Sequence, residues 1–270
     1  MASDHELTLQ TERMQAKIED GIGWMVFNNP ARHNALSLEM WEGMGDILEH
    51  FASNDAVRVI VMRGAGGKSF VSGADISEFD KSRANAEQRA SYGVVAGRAT
   101  QWLGKIEKPL IGLIEGYCIG GGLATALSAD VRFATPDSRF GIPAAKLGLG
   151  YEFEGLAKLA RLVGPSRARD IMFSARFMPA SEAYDMGLVN FIHERDVIES
   201  ACIDYAKTIA SNAPLTVKTA KAAINAWERG SRADEVAAVR AMVDACFNSE
   251  DYREGRKAFA SKRTPEFKNR

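Results

Sequence analysis

The chain has 270 residues, which is enough for one large domain or for a domain with an appendage. Its 46% hydrophobic and 26% charged content is ordinary for a soluble globular protein. The 34 lysines and arginines are balanced by 35 aspartates and glutamates, so no global basic field favours nucleic acid.

The number and spacing of the cysteines and histidines indicate which cellular compartment to expect and whether a metal site is present. Cys118, Cys202 and Cys246 are odd in number and far apart, and the four histidines are equally scattered. Neither set predicts a disulfide framework or a metal site. The amino-terminal residues lack a signal peptide's basic start and apolar core, and no apolar run approaches the roughly 18 residues of a membrane span. We therefore expect a cytoplasmic protein with no metal and no nucleic-acid or membrane partner.

Local signals predict the elements of the first half. Asp20-Gly21 separates two strand-like stretches, a strong hairpin signal. Ser37 is predicted to cap a helix, whose apolar face is formed by Trp41, Met44, Leu48 and Phe51. Two apolar runs, 57–62 and 110–114, are predicted as buried strands, and the pattern between them predicts a helix over 86–106.

A triple glycine, Gly120-Gly121-Gly122, follows the second of these strands. A glycine turn and a helix over 124–129 are predicted here. Adjacent glycines let a ligand approach the backbone, and the first N–H groups of a helix lie at the positive end of its dipole. The turn is interpreted either as a site for an anion or oxyanion or as a turn packed closely against a strand.

The second half of the chain changes character near residue 196. A strand over 131–134 and a helix from about Glu152 to Gly164 continue the alternation of strands and helices, which predicts an α/β core over 1–195. Helical patterns dominate afterwards, over 201–211, 215–229, 233–249 and 251–260. The predicted helical region, 196–270, is expected to cover another surface, either its own core or a neighbouring subunit.

Several short motifs occur together in a fixed order. They are Asn29-Pro30, Asn34-Ala35-Leu36, Ser72-Gly73-Ala74-Asp75-Ile76, Gly120-Gly121-Gly122, Phe140-Gly141, Leu162-Val163-Gly164 and Glu254-Gly255. Through them the sequence resembles the enoyl-CoA hydratase/isomerase, or crotonase, superfamily over most of its length. The resemblance implies an α/β fold of the crotonase-like (ClpP/crotonase) kind, a spiral of ββα units with a helical C-terminal trimerisation region. It also implies a homotrimer or dimer of trimers and an acyl-CoA or enoyl-CoA substrate, with no cofactor besides the coenzyme A that the substrate carries.

The same resemblance assigns binding residues. It implies that the backbone N–H groups of Ala74 and Gly121 hold the thioester oxygen. In other enzymes, loss of one such donor reduces turnover roughly a hundred- to a thousand-fold. The implied CoA-binding segment consists of Ser72, Ala74, Asp75, Ile76 and Ser77. Phe259 and Lys262 are implied CoA contacts, or equally a packed aromatic and a solvated charge. Arg32 is expected to be a solvated charge rather than a phosphate contact.

The departures from the family pattern concern the acids. The resemblance places the two hydratase glutamates at Ala124 and Ala144, and alanine neither exchanges a proton nor orients water. Glu152 lies eight residues after Ala144, where dienoyl-CoA isomerases of the superfamily carry an acid. It is the candidate base, unless its role is only to favour a helix N-terminus. Glu154 is a weaker candidate base, because two places further along a helix it should face elsewhere. Tyr117 and Tyr151 are candidates to orient the substrate, or else core aromatics.

Two functions follow from these residues. The first is an enzyme that forms an oxyanion-stabilised enolate from an acyl-CoA or enoyl-CoA thioester, acting as a hydratase or a double-bond isomerase. The second is a CoA-thioester-binding protein that is catalytically weak or inactive. The two hypotheses differ in whether Glu152 takes part in chemistry.

Overall fold

The computed structural model describes residues 5–75 and 86–270. Its strands are β1 His5–Glu6, β2 Met14–Glu19, β3 Ile22–Phe27, β4 Val59–Gly64, β5 Ser69–Val71, β6 Leu110–Ile114, β7 Tyr117–Ile119, β8 Val131–Ala134, β9 Arg139–Gly141, β10 Met178–Pro179 and β11 Phe191–Ile192. Its helices are α1 Leu38–Ser53, α2 Ala86–Lys105, α3 Gly121–Ala126, α4 Phe153–Val163, α5 Pro165–Ser174, α6 Ala180–Asp185, α7 Ile198–Ser211, α8 Pro214–Glu228, α9 Ala233–Asn248 and α10 Glu250–Ala260. Short 3-10 helices cover Pro30–Arg32 and Pro143–Leu147.

The larger sheet begins with the hairpin that the sequence predicts. β2 and β3 pair antiparallel, and Asp20 and Gly21 between them both have positive φ, 51° and 81°. This is the backbone of a tight hairpin turn whose twist matches the strands. The sheet has the order β1-β2-β3-β4-β6-β8-β11, and every pairing from β3 onward is parallel. Parallel neighbours require crossovers, so the chain leaves and re-enters the sheet between them.

Both faces of the larger sheet are buried. Alternate residues of β4, such as Ile60, point into the main core, where α1 contributes Met44 and Phe51. The intervening residue Val61 points to the opposite face, which forms a second cluster with Trp24, Val59, Ile111, Leu113 and three α7 residues, Ile198, Cys202 and Ala206. Burial on both faces explains why these strands are continuous apolar runs in the sequence.

A smaller sheet has the order β10-β9-β7-β5. The chain passes into it directly from the larger sheet, because β6 and β7 are separated only by Glu115 and Gly116. Gly116 has a φ of +69°, and a Cβ there would overlap the carbonyl group of Lys68, so the corner requires glycine. These short strands were not predicted, because two or three residues show no periodicity.

Two local predictions are wrong. Ser37 precedes α1, but its side chain forms no capping hydrogen bond, and its buried hydroxyl has no partner among the described residues. Packing encloses this hydroxyl instead of aiming it at the helix N–H groups. α3 begins at Gly121 rather than at residue 124, because tertiary contacts override the low helix propensity of glycine.

Candidate active site

The triple glycine forms the junction between β7 and α3. The Gly120 N–H donates to the Gly141 carbonyl oxygen at 2.8 Å, which ties the turn to β9. A Cβ on Gly122 would overlap the backbone carbonyl of Val71, so glycine allows α3 to touch β5. Gly122 is buried, whereas Gly121 is partly accessible. Close packing therefore accounts for Gly122 and leaves Gly121 available to a ligand.

Ala74 lies beside Gly121 although 47 positions separate them in the sequence. Ala74 forms a parallel bridge with Leu36, in which the Leu36 N–H donates to Gly73 at 2.8 Å and the Asp75 N–H donates to Leu36 at 2.9 Å. These two hydrogen bonds lie on the side of the extended segment 73–75 that faces Leu36. Because the N–H groups of successive residues in such a segment point to opposite sides, the Ala74 N–H points away from Leu36. A Cβ built on Gly121 would lie 3.7 Å from the Ala74 nitrogen.

The two N–H groups lack the usual backbone partners. The Ala74 N–H has no backbone acceptor in the described part of the chain. The Gly121 N–H is the first of its helix, and such a group has no intrahelical acceptor. Two main-chain donors therefore lie close together at a partly accessible surface.

The two positions at which the resemblance expects glutamates carry no ionisable group. Ala124 is half-buried on α3, and Ala144 is buried within the 3-10 helix Pro143–Leu147. Methyl groups at both positions make the surroundings apolar. Any proton transfer at this site must use an ionisable group from another position.

Glu152 is exposed and is the N-cap residue of α4. Its backbone carbonyl accepts a hydrogen bond from the Leu156 N–H at 3.3 Å, which starts the helix. Its side chain does not cap the helix, so the hydrogen bond that a purely structural cap would form is absent. Leu149 and Phe153, which flank it, are exposed apolar residues. Glu154 is also exposed, in the first turn of α4.

The remaining residues of the implied CoA-binding segment lie next to Ala74. Ser72 and Asp75 are half-buried, and the Ser72 N–H donates to the His33 carbonyl oxygen at 3.1 Å. The Ser72 hydroxyl is 3.5 Å from the Arg32 carbonyl oxygen, so Arg32, itself exposed, adjoins this segment. Ile76 and Ser77 lie outside the described residues.

The two tyrosines occupy different environments. Tyr117 is exposed on β7, and its ring meets that of His33 edge to face with centroids 6.3 Å apart. Tyr151 is half-buried and packs against the main core. Tyr117 is thus the more accessible of the two.

Phe259 and Lys262 belong to the C-terminal region. Phe259 is 88% exposed at the end of α10, and Lys262 follows that helix with a φ of +53°. Phe259 lines an apolar groove of about 640 Å³, whose other walls include Val243, Phe247, Tyr252 and Phe267. All residues lining this groove follow residue 212, and Ala74 and Gly121 are not among them.

One polar pair beside α3 was not predicted. The Lys158 ammonium group of α4 donates to the Ser128 hydroxyl at 3.0 Å. Burial lowers the pKa of Lys158, while the charge of Glu228 acts in the opposite direction. Ser128 could have been identified as a neighbour of the glycine turn, because the steps from Gly121 to Ala124 and from Ala124 to Ser128 are helical spacings of three and four residues. Lys158 has no such signal, because only the packing of the two segments makes it a neighbour.

Comparisons with known proteins place this arrangement in a family. The model of the family described as enoyl-CoA hydratase/isomerase matches residues 17–270. A short-chain-enoyl-CoA hydratase from Clostridium acetobutylicum is 36% identical, over 93% of this chain and 96% of its own length. A crotonyl-CoA hydratase from Syntrophomonas wolfei is 32% identical, over 92% of this chain and 95% of its own.

Solved structures agree. The crystal structure of an enoyl-CoA hydratase/carnithine racemase from Magnetospirillum magneticum has a TM-score of 0.90 and 36% identity, and the match covers 97% of both chains. The chain belongs to the enoyl-CoA hydratase/isomerase family and has its crotonase-type α/β fold. The fold and family that the motifs predicted are confirmed.

No helix among the described residues is both long and apolar enough to cross a membrane. No group of three or more histidines, cysteines, aspartates or glutamates among them is arranged to hold a metal ion.

Proposed function

We propose that this enzyme stabilises the enolate of an acyl-CoA or enoyl-CoA thioester and thereby catalyses double-bond isomerisation or hydration. The observation that carries the proposal is that Gly121 lies beside Ala74. A Cβ built on Gly121 would be 3.7 Å from the Ala74 nitrogen. When a proton leaves the carbon next to a thioester, negative charge moves to the carbonyl oxygen. Two fixed N–H donors bind that charge more strongly than the neutral ground state, which lowers the barrier.

Glu152 is the proposed base. Its carboxylate would remove a proton from one substrate carbon and return it to another, with the N–H groups of Ala74 and Gly121 holding the oxygen throughout. Hydration by two glutamates is the less favoured reaction, because Ala124 and Ala144 carry no carboxylate. In this proposal the CoA moiety is bound by the following residues: Ser72, Ala74, Asp75, Ile76, Ser77 and, from a neighbouring subunit, Phe259 and Lys262.

The test compares Glu152→Gln with wild type on crotonyl-CoA and on 3-enoyl-CoA substrates. We expect kcat to fall by roughly 10²- to 10⁴-fold, the usual worth of a general base, while the melting temperature stays unchanged. Glu154→Gln is the matched control, since it neutralises a carboxylate two residues away, and it should retain wild-type rates. Equal rates of wild type and Glu152→Gln on a broad panel would show that Glu152 is not the base.

The two alanines favour a second candidate, a catalytically weak or inactive CoA-thioester-binding protein. It keeps the main-chain donors of Ala74 and Gly121 without a working acid. Calorimetric titration with crotonyl-CoA separates the two candidates. Tight binding without turnover of any enoyl-CoA would establish the second, whereas turnover that depends on Glu152 would exclude it.

We also propose that the chain forms a homotrimer or a dimer of trimers through its C-terminal region. Trp227, Phe247 and Phe259 are 73%, 60% and 88% exposed, and exposed apolar surface of this kind marks protein interfaces. Light scattering should give three or six times the mass of one chain. A stable monomer would contradict the proposal.

A further inference from the structure

Lys158 is a half-buried ammonium group on α4. Its hydrogen bond goes to the neutral Ser128 hydroxyl, and within the described residues it forms no ion pair. Its charged surroundings are Glu228, Lys221 and Arg161, of which the two basic groups lower its pKa further. The Glu228 carboxylate opposes the effect of burial without forming an ion pair with Lys158. A buried charge that has no close counter-ion costs free energy. An anionic ligand at Lys158 would supply one.

Ser128 lies in the turn after α3, two residues beyond the last helical residue, Ala126. Between residues 121 and 129, the partly accessible positions are Gly121, Ala124 and Ser128, and the others are buried. Their spacing of three and four residues places them on one side of a helical turn. At a rise of 1.5 Å per residue, Ser128 lies roughly 10 Å along this face from Gly121. An acyl chain leaving a thioester at Gly121 along this face would pass Ala124 and end near Ser128.

We infer that Lys158 and Ser128 bind a carboxylate at the far end of the acyl chain, so that this enzyme prefers CoA esters of dicarboxylic acids. The inference rests on the proposed function, since it takes the thioester oxygen to lie at Ala74 and Gly121. The ammonium and hydroxyl groups both donate, and a carboxylate offers two acceptor oxygens. Charge-assisted hydrogen bonds of this kind are about twice as strong as neutral ones. The methyl group of Ala124 leaves the path between the two ends apolar.

The test is calorimetric titration with saturated CoA esters in matched pairs that differ only at the chain end. Suitable pairs are pentanoyl- and glutaryl-CoA, hexanoyl- and adipyl-CoA, and octanoyl- and suberyl-CoA. At the length that spans the face, the carboxylate ester should bind roughly tenfold or more tightly than its methyl-ended partner. Lys158→Met should abolish this preference and Ser128→Ala should reduce it. Arg167→Met, which removes an exposed charge from the neighbouring helix α5, should leave it unchanged.

Each outcome decides the inference. Tighter binding of methyl-ended esters at every length, or a preference that survives in Lys158→Met, would overturn it. If Lys158→Met does not fold, a full preference in Ser128→Ala overturns it instead. Because saturated esters report binding alone, a carboxylate preference without enoyl-CoA turnover would sustain this inference and refute the proposed catalysis. Normal turnover without any preference would do the reverse.

Discussion

Two short segments of the molecule are held in place in opposite ways. α3 is fixed by buried main-chain contacts, with Gly122 against β5 and the guanidinium of Arg132 bound to carbonyl groups near the helix end. The tail after α10 is fixed by side-chain carboxylates instead. Glu254 binds Arg263 and the Glu266 N–H at the surface, and buried Asp251 accepts the N–H groups of Lys268 and Asn269. A site that must hold backbone donors steadily requires the first kind of support. The tail can lose one contact and stay in place.

The largest expected effect is at Gly122. Gly122→Ala would place a methyl group on the Val71 carbonyl, so α3 must move away from β5. We expect unfolding free energy to fall by about 3 kcal/mol, the upper end of overpacking costs, and activity to be lost with it. Urea unfolding followed by circular dichroism measures the change.

Gly97→Ala is the matched control for this substitution. Gly97 lies inside α2, and beyond its own helix backbone no described residue has an atom within 4 Å of its Cβ position. The same chemical change should therefore stabilise the protein by roughly 0.5–1 kcal/mol. If both variants lose similar stability, close packing of α3 is not what the glycine provides.

A smaller but clear loss is expected at the other end of α3. Arg132 is buried, and its guanidinium donates to the carbonyl oxygens of Leu188 at 2.7 Å, Ala126 at 3.3 Å and Ala129. Arg132→Met removes the guanidinium donor from all three acceptors, of which Ala126 keeps the Ala129 N–H. The loss should cost about 2–3 kcal/mol in unfolding free energy by urea titration. The exposed Arg139, changed to Met, should shift stability by less than about 0.5 kcal/mol. Equal losses in the two variants would contradict this account.

The smallest effect is expected in the tail. The Arg263 guanidinium and then the Glu266 N–H lower the pKa of Glu254 from 4.5 to about 2. Because the carboxylate ionises more readily in the folded chain, its stabilising contribution is present above about pH 4.5 and lost as pH falls towards 2. Glu254→Gln should therefore melt slightly lower than wild type at pH 7, and the difference should shrink as pH falls through this window. A difference in melting temperature that is the same at pH 7 and pH 3 would refute the assignment.

The difference between local signals and long-range contacts explains which elements could be predicted from the sequence. The β2–β3 hairpin and α2 were predicted because their signals are local, a two-residue turn and a helical apolar period. β7 was missed because a three-residue strand is defined by its partners β5 and β9, not by its own pattern. The start of α3 was misplaced because contact with β5 outweighs glycine's propensity.

The candidate site was predictable to a similar extent. The motifs assigned Ala74 and Gly121 to one candidate site, and the structure places the two residues side by side. Their role as donors to a ligand stays a prediction. Lys158 belongs to no such motif, because its relation to Ser128 exists only after α4 packs near α3. Local chemistry can be read from one chain segment, whereas long-range pairings require the folded structure.

The position of α7 has a consequence for how the chain is made. Strands β3, β4 and β6 present one apolar face to this helix through Trp24, Val61 and Leu113. During synthesis these strands emerge long before residues 198–211, so that face stays bare until about three quarters of the chain has left the ribosome. Nascent chains stalled or truncated near residue 195 should consequently aggregate or recruit chaperones. Release of the last quarter of the polypeptide then decides whether the newly made protein becomes soluble.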